Sequence, residues 1–263
     1  MTAKVTMTTI KTTTIIAMTS TIMREDVDDD MRDQISPLGL LRLQSWLSPT
    51  FPIGTYSYSH GIEWAVDAGQ VHDRDSLVEW LDADLRYGSG RNEAILLREA
   101  WRHTADPSRT KLLRVVELAS ALRGTSELAL ESSQQAAACL ATLREVWPDR
   151  ALDWLAQAMC EHQLQPALSV VLGIRAARQG IPARLALVAF LNSYVANLVT
   201  AGVRLVPLGQ TDGQLAIATV EHALLALAAE AEAGTIDDLG SAALMVDFAS
   251  TWHETQYTRL FRS

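Results

Sequence analysis

Lysine is almost missing from this chain: beyond the first dozen residues, Lys111 is the single one. A P-loop places a lysine directly after its glycines to reach the phosphates. No such stretch occurs, so the chain is not itself a P-loop nucleotidase. Positive charge is scarce in general, with 22 Lys and Arg against 31 Asp and Glu for a net charge of −9. The arginines lie scattered among carboxylates, so no phosphate-neutralising face can be assembled, which excludes nucleic acid as the expected partner.

Cysteine is nearly absent too. Cys139 and Cys160 stand alone in Ala/Leu-rich sequence with no CxxC spacing, which excludes a disulfide framework. Both read as buried, reduced thiols of a cytoplasmic protein. The six histidines (60, 72, 103, 162, 222, 253) are never closer than 12 residues, so no helix offers the i, i+4 pair of a local metal site. Each reads as a solvated or core histidine, and no metal or cofactor site is expected within the chain. Strict apolar/polar alternation, the mark of a half-buried strand, is also missing.

What is present is helical punctuation over an apolar share of 48%. The fold expected is all-α, a single multi-helix bundle over residues 37–263. Residues 1–36, with nine threonines before REDVDDDMRD, read as a disordered extension without the apolar h-region of a secretory signal. LGLLRLQSWL (38–47) is a helix stopped by Pro49 and Pro52, and HGIEWAVDAG (60–69) is a short one closed by Gly69. Ser76 and Glu79 form an S-x-x-E capping box, while Asp106 and Pro107 offer an N-cap and an N1 proline. Further helices span 91–104, 112–122, 126–147 and 240–254. PARLALVAFLNSYVANLVTAGVRLV (182–206) is the most apolar segment, about 36 Å long as a helix. Asn192, Ser193, Asn197 and Arg204 would be costly in lipid, so it reads as the buried central helix of the bundle, with asparagines that need partners, and no membrane is implied. Thr211 and Gln214 then make a T-x-x-Q box for a helix to about Glu232.

The stretch PTFPIGTYSYSHGIEW (49–64) poses the functional question. A hydrolase or transferase would set Ser57 or Ser59 beside His60, but G-x-S-x-G and a preceding strand are both lacking. The alternative is a rigid turn in which Pro52 and Gly54 present Tyr56, Tyr58 and Trp64 as contact anchors. At the other end, Tyr257, Leu260 and Phe261 repeat at i, i+3, i+4 with Arg259 and Arg262 alongside. A helical turn there would bear an apolar side and a cationic edge, suited to docking on a partner or on its own domain.

Three stretches together, LQSWLSPTFPIGTYSYSHGIEWAVDAGQV (43–71), VRLVPLGQTDGQ (203–214) and HETQYTRLFRS (253–263), resemble the urease accessory protein UreF family. The resemblance covers residues 40–263. It implies a non-enzymatic, all-helical chaperone that dimerises, binds the accessory protein UreD (also called UreH), recruits the GTPase UreG and so serves nickel insertion into apo-urease. It also implies partner-binding roles for three sets. Pro52, Gly54, Tyr56, Ser57, Tyr58 and Gly61 would form a face shared by partner and dimer contacts. Pro207, Gly209, Gln210, Thr211, Asp212 and Gly213 would form a loop toward the GTPase or the dimer axis. His253, Glu254, Tyr257, Arg259, Leu260, Phe261 and Arg262 would form a tail that orders on UreD.

Overall fold

A computed structural model describes residues 34–263; the expectation for residues 1–33 lies outside the described residues. Eleven α-helices follow one another: α1 Pro37–Trp46, α2 Ile62–Asp67, α3 Arg74–Tyr87, α4 Ser89–His103, α5 Thr110–Ala121, α6 Ser126–Val146, α7 Arg150–His162, α8 Leu168–Arg178, α9 Ala183–Leu205, α10 Gln210–Ala233 and α11 Leu244–His253. Short 3₁₀ turns at Thr55–Ser57 and Ile236–Asp238 join them, and no strand occurs among the described residues.

The bundle is built around α4, α8 and α9. Helix α8 is buried continuously from Ser169 to Ala176, and its Gly173 is a packing requirement: a Cβ there would stand 2.4 Å from the Leu97 carbonyl oxygen of α4. Without that methyl, the two backbones touch. Helix α9 buries Leu187, Phe190, Leu191, Val195 and Leu198. Each such side chain taken out of water contributes about 1.5–3 kcal/mol before entropy is counted. Helices α9 and α10 are both long and apolar enough to cross a membrane by length and composition. Half of the most apolar window of α9, and a third of that of α10, is buried inside the bundle. They pack on each other, and α10 also covers α3, which is how core helices of a bundle spend such surfaces.

Several local expectations change. Helix α3 is capped by Asp73, not by the Ser76–Glu79 box: Asp73 accepts the Ser76 amide at 2.8 Å while the Ser76 hydroxyl accepts the Asp73 amide. A reciprocal cap needs only acceptors at both positions, and Asp73 lies one turn earlier. Asp106 instead folds back on Ser108, its carboxylate held below the usual range by the Ser108 amide and hydroxyl, and α5 begins at Thr110 after Arg109 in a left-handed conformation (φ 58°). At α10 the cap is Asp212 accepting the Gly209 amide at 3.1 Å rather than the Thr211–Gln214 box. The last helix starts at Leu244, because Ala242 and Ala243 donate their amides to the Tyr87 carbonyl and so leave the helical path. Cys139 is buried, its thiol pushed up to about 12 by that burial, but Cys160 is exposed on α7. Asn192 is exposed and needs no protein partner, whereas Asn197 is half-buried beside a cavity.

Candidate functional site: the seated C-terminal tail

The turn 52–61 is shaped by three left-handed residues, Gly54 (φ 72°), His60 (φ 55°) and Gly61 (φ 81°). Gly61 is obligatory twice over: its φ disfavours a side chain, and a Cβ would lie 2.9 Å from the Ser250 amide nitrogen of α11. The turn therefore presses on α11, and Trp64 of α2 stacks on Trp252 at 4.4 Å between ring centroids. Only part of the turn is surface. Pro52 and Tyr56 are exposed, whereas Tyr58 is buried and donates its hydroxyl to Gln134 Oε1 at 2.6 Å, so it is a core anchor and not a contact surface.

Beyond His253 the chain is not helical, so the expected i, i+3, i+4 face does not form. Glu63 and Glu127, two nearly buried carboxylates, organise the tail instead. Glu63 accepts the amides of Leu260 (2.5 Å) and Phe261 (2.9 Å), and its Oε2 also meets His253 Nε2 at 3.0 Å. Glu127 meets His253 Nδ1 at 2.6 Å and pairs through its other oxygen with Arg259. His253 is wholly buried between the two, with a carboxylate oxygen within hydrogen-bond distance of each ring nitrogen. Backbone amides at adjacent residues bonded to one carboxylate force the tail to turn there. Phe261 consequently points inward and is buried, while Leu260 points out. Farther on, Arg262 donates its amide to the Ser57 carbonyl (2.9 Å), and the Ser263 carbonyl accepts both the amide and the hydroxyl of Ser59. Arg204, at the end of α9, donates to the Tyr56 carbonyl at 2.7 Å and lies 4.3 Å over the Phe261 ring.

The structure thus brings the first and third stretches together, with Arg204 as the link to the second. Pro207, Gly209, Gln210 and Thr211 are exposed at the start of α10, and Gly213 is buried against Val203. No hydrogen bond joins residues 207–213 to the tail among the described residues. Glu254 accepts the amide and hydroxyl of Ser126 at the start of α6, and that bonding lowers its pKa. Left facing outward are Tyr257, which is fully exposed, with Leu260, Arg259 and Arg262, beside Tyr56. Glu63 and Glu127 were not singled out by sequence, although a carboxylate wedged between Ile62 and Trp64 was a usable signal.

A second polar cluster lies behind the turn. His60 Nε2 is 3.2 Å from the Tyr194 hydroxyl, which donates to Asp84 Oδ2 at 2.7 Å, and His60 Nδ1 is 3.5 Å from Glu131 Oε2. Burial works against the imidazolium, but Glu131, Asp84 and Glu93 outweigh it and push His60 up to about 9. Burial raises both Asp84 and Tyr194. Neither Ser57 nor Ser59 is hydrogen-bonded to the His60 ring, whose neighbours are Tyr194 and Glu131, and the Ser59 hydroxyl is given to Ser263. Among the described residues, no three His, Cys, Asp or Glu side chains are disposed to hold a metal ion.

A sequence model of the UreF family matches residues 71–221. The chain is 46% identical to the urease accessory protein UreF of Rhodopseudomonas palustris BisB5, over 85% of this chain and 91% of the relative. It is 45% identical to that of Xanthobacter autotrophicus Py2, over 87% and 93%. It is 42% identical to that of Granulibacter bethesdensis, over 85% and 94%. An all-helical bundle matched over most of its described length to relatives of one kind leaves a single assignment, and the chain belongs to the UreF family of urease accessory proteins.

Proposed function

We propose that the chain is a non-enzymatic scaffold of urease maturation that works in the cytoplasm as a homodimer. It binds UreD (UreH) through the tail face and recruits the GTPase UreG, so that nickel, the cargo, reaches apo-urease. The observation carrying this reading is the seated tail: Glu63, Glu127 and His253 fix its backbone while Tyr257, Leu260, Arg259 and Arg262 are turned outward. Large aromatic and arginine side chains on a pre-ordered frame cost little entropy to bury, which suits a docking surface. The exposed turn at Pro207–Thr211 is the surface we assign to the GTPase or the dimer axis. The scaffold acts by differential affinity, binding the nickel- and nucleotide-loaded GTPase more tightly than its discharged form.

Co-purification of UreD and UreG with the full chain and with a chain ending at Thr251 tests this. Loss of UreD from the shortened chain is expected, and full retention would refute the tail assignment. Equal affinity of UreG for the UreF–UreD complex with GTP and with GDP would refute the release mechanism.

A further inference from the structure

Behind the 52–61 turn lies a cavity of about 540 Å³, within the range of small-molecule sites. Its lining is mixed: Trp46, Leu172, Phe190 and Leu198 supply apolar surface, and His60, Glu93, Arg123 and Glu131 supply polar groups. Three buried donors of these lining residues, His60 Nδ1, Arg123 Nη2 and Trp46 Nε1, make no hydrogen bond of normal geometry among the described residues, with Glu131 Oε2 standing 3.5 Å from His60 Nδ1. The neighbouring carboxylates are each turned to another donor, with lone pairs to spare. Glu93 takes the other terminal nitrogen of Arg123, and Glu131 takes the Ser263 hydroxyl and the Gln135 amide. Buried donors left unpaired in one cavity define what is missing, namely an acceptor.

We propose that this cavity binds a small neutral molecule of the amide class with an apolar body, its carbonyl oxygen received by His60 Nδ1 and Arg123 Nη2. Charge selects neutrality. Each of the two cations already stands beside its own carboxylate, Glu131 at 3.5 Å from His60 and Glu93 paired with Arg123, so an anion would be repelled by carboxylates whose cations are already balanced. The same carboxylates can accept an amide's N–H, which a ketone or ester lacks. The apolar surface takes the hydrocarbon, as pockets with a few convergent polar groups do. This inference is independent of the partner assignments above.

Calorimetric titration of the full-length chain with three monosubstituted benzenes, benzamide, benzoate and ethylbenzene, tests it. Saturable binding of benzamide, at least 10-fold tighter than either of the others, is expected. Arg123→Lys keeps the charge beside Glu93 but removes the second terminal nitrogen, and should weaken benzamide at least 5-fold. Leu172→Phe fills the apolar part of the cavity and should abolish binding, with circular dichroism confirming that both variants are folded. Absence of saturable benzamide binding, binding of ethylbenzene or benzoate as tight as benzamide, or an affinity unchanged in either folded variant overturns the proposal.

Discussion

Two histidines of this molecule are buried among carboxylates, and they are used oppositely. His253 has a carboxylate oxygen on each ring nitrogen, at 2.6 and 3.0 Å, and both carboxylates go on to bind the tail. His60 has a phenol on one nitrogen at 3.2 Å, only a distant carboxylate oxygen of Glu131 at 3.5 Å on the other, and a cavity in front of it. A closed ring of donors and acceptors fixes a chain segment, whereas an open one keeps binding capacity in reserve. Burial and neighbouring carboxylates are common to both histidines, and what separates them is how many ring nitrogens are satisfied.

The comparison can be broken most forcefully at the closed site. His253→Ala leaves Glu63 and Glu127 in a buried space without the two ring nitrogens that stand between them, and should cost about 3–5 kcal/mol. Urea denaturation reads that loss, and limited proteolysis should show cleavage after Arg259. His60→Gln is next, costing about 1–3 kcal/mol below neutral pH, as expected for a buried, partly satisfied donor. Its pH signature sharpens the contrast. The folded pKa of His60 is raised to about 9 from an unfolded 6.5, so its stabilisation is complete below 6.5 and lost as pH rises through 9. The stability gap between the native chain and His60→Gln should therefore shrink between those limits.

Smaller effects follow at the rim. Glu254→Gln removes the carboxylate that receives the Ser126 amide and hydroxyl, with a loss of about 0.5–1 kcal/mol by thermal melting. The folded pKa of Glu254 lies below the ordinary carboxylate value, so this contribution is present above that value and fades as pH falls through the folded one. Tyr257→Ala should change stability by less than about 0.5 kcal/mol, because the side chain is fully exposed. Its effect belongs in a pull-down with UreD, where weakened capture is expected.

How much of this was legible in the sequence depends on the range of the interaction. Helix existence rests on local periodicity, and α1, α4, α6 and α9 lie within one or two residues of where the pattern puts them. Caps were misjudged wherever two acceptors competed within one turn, as at Asp73 against Ser76. The family assignment was legible because three separated stretches matched in order. The tail geometry was not, since Glu63 and Phe261 are 198 residues apart and nothing in the spacing Tyr257-Leu260-Phe261 reveals that two amides will turn on one carboxylate. Tyr58 reads as a surface anchor beside Tyr56, yet the 3₁₀ turn between them sends one ring out and the other in.

Arg204 has a consequence of its own. A single guanidinium ties the carbonyl of Tyr56 to the ring of Phe261 while its backbone belongs to the last turn of α9. Whatever lifts the tail must also let go of that guanidinium, which sits at the terminus of α9, three residues before Pro207.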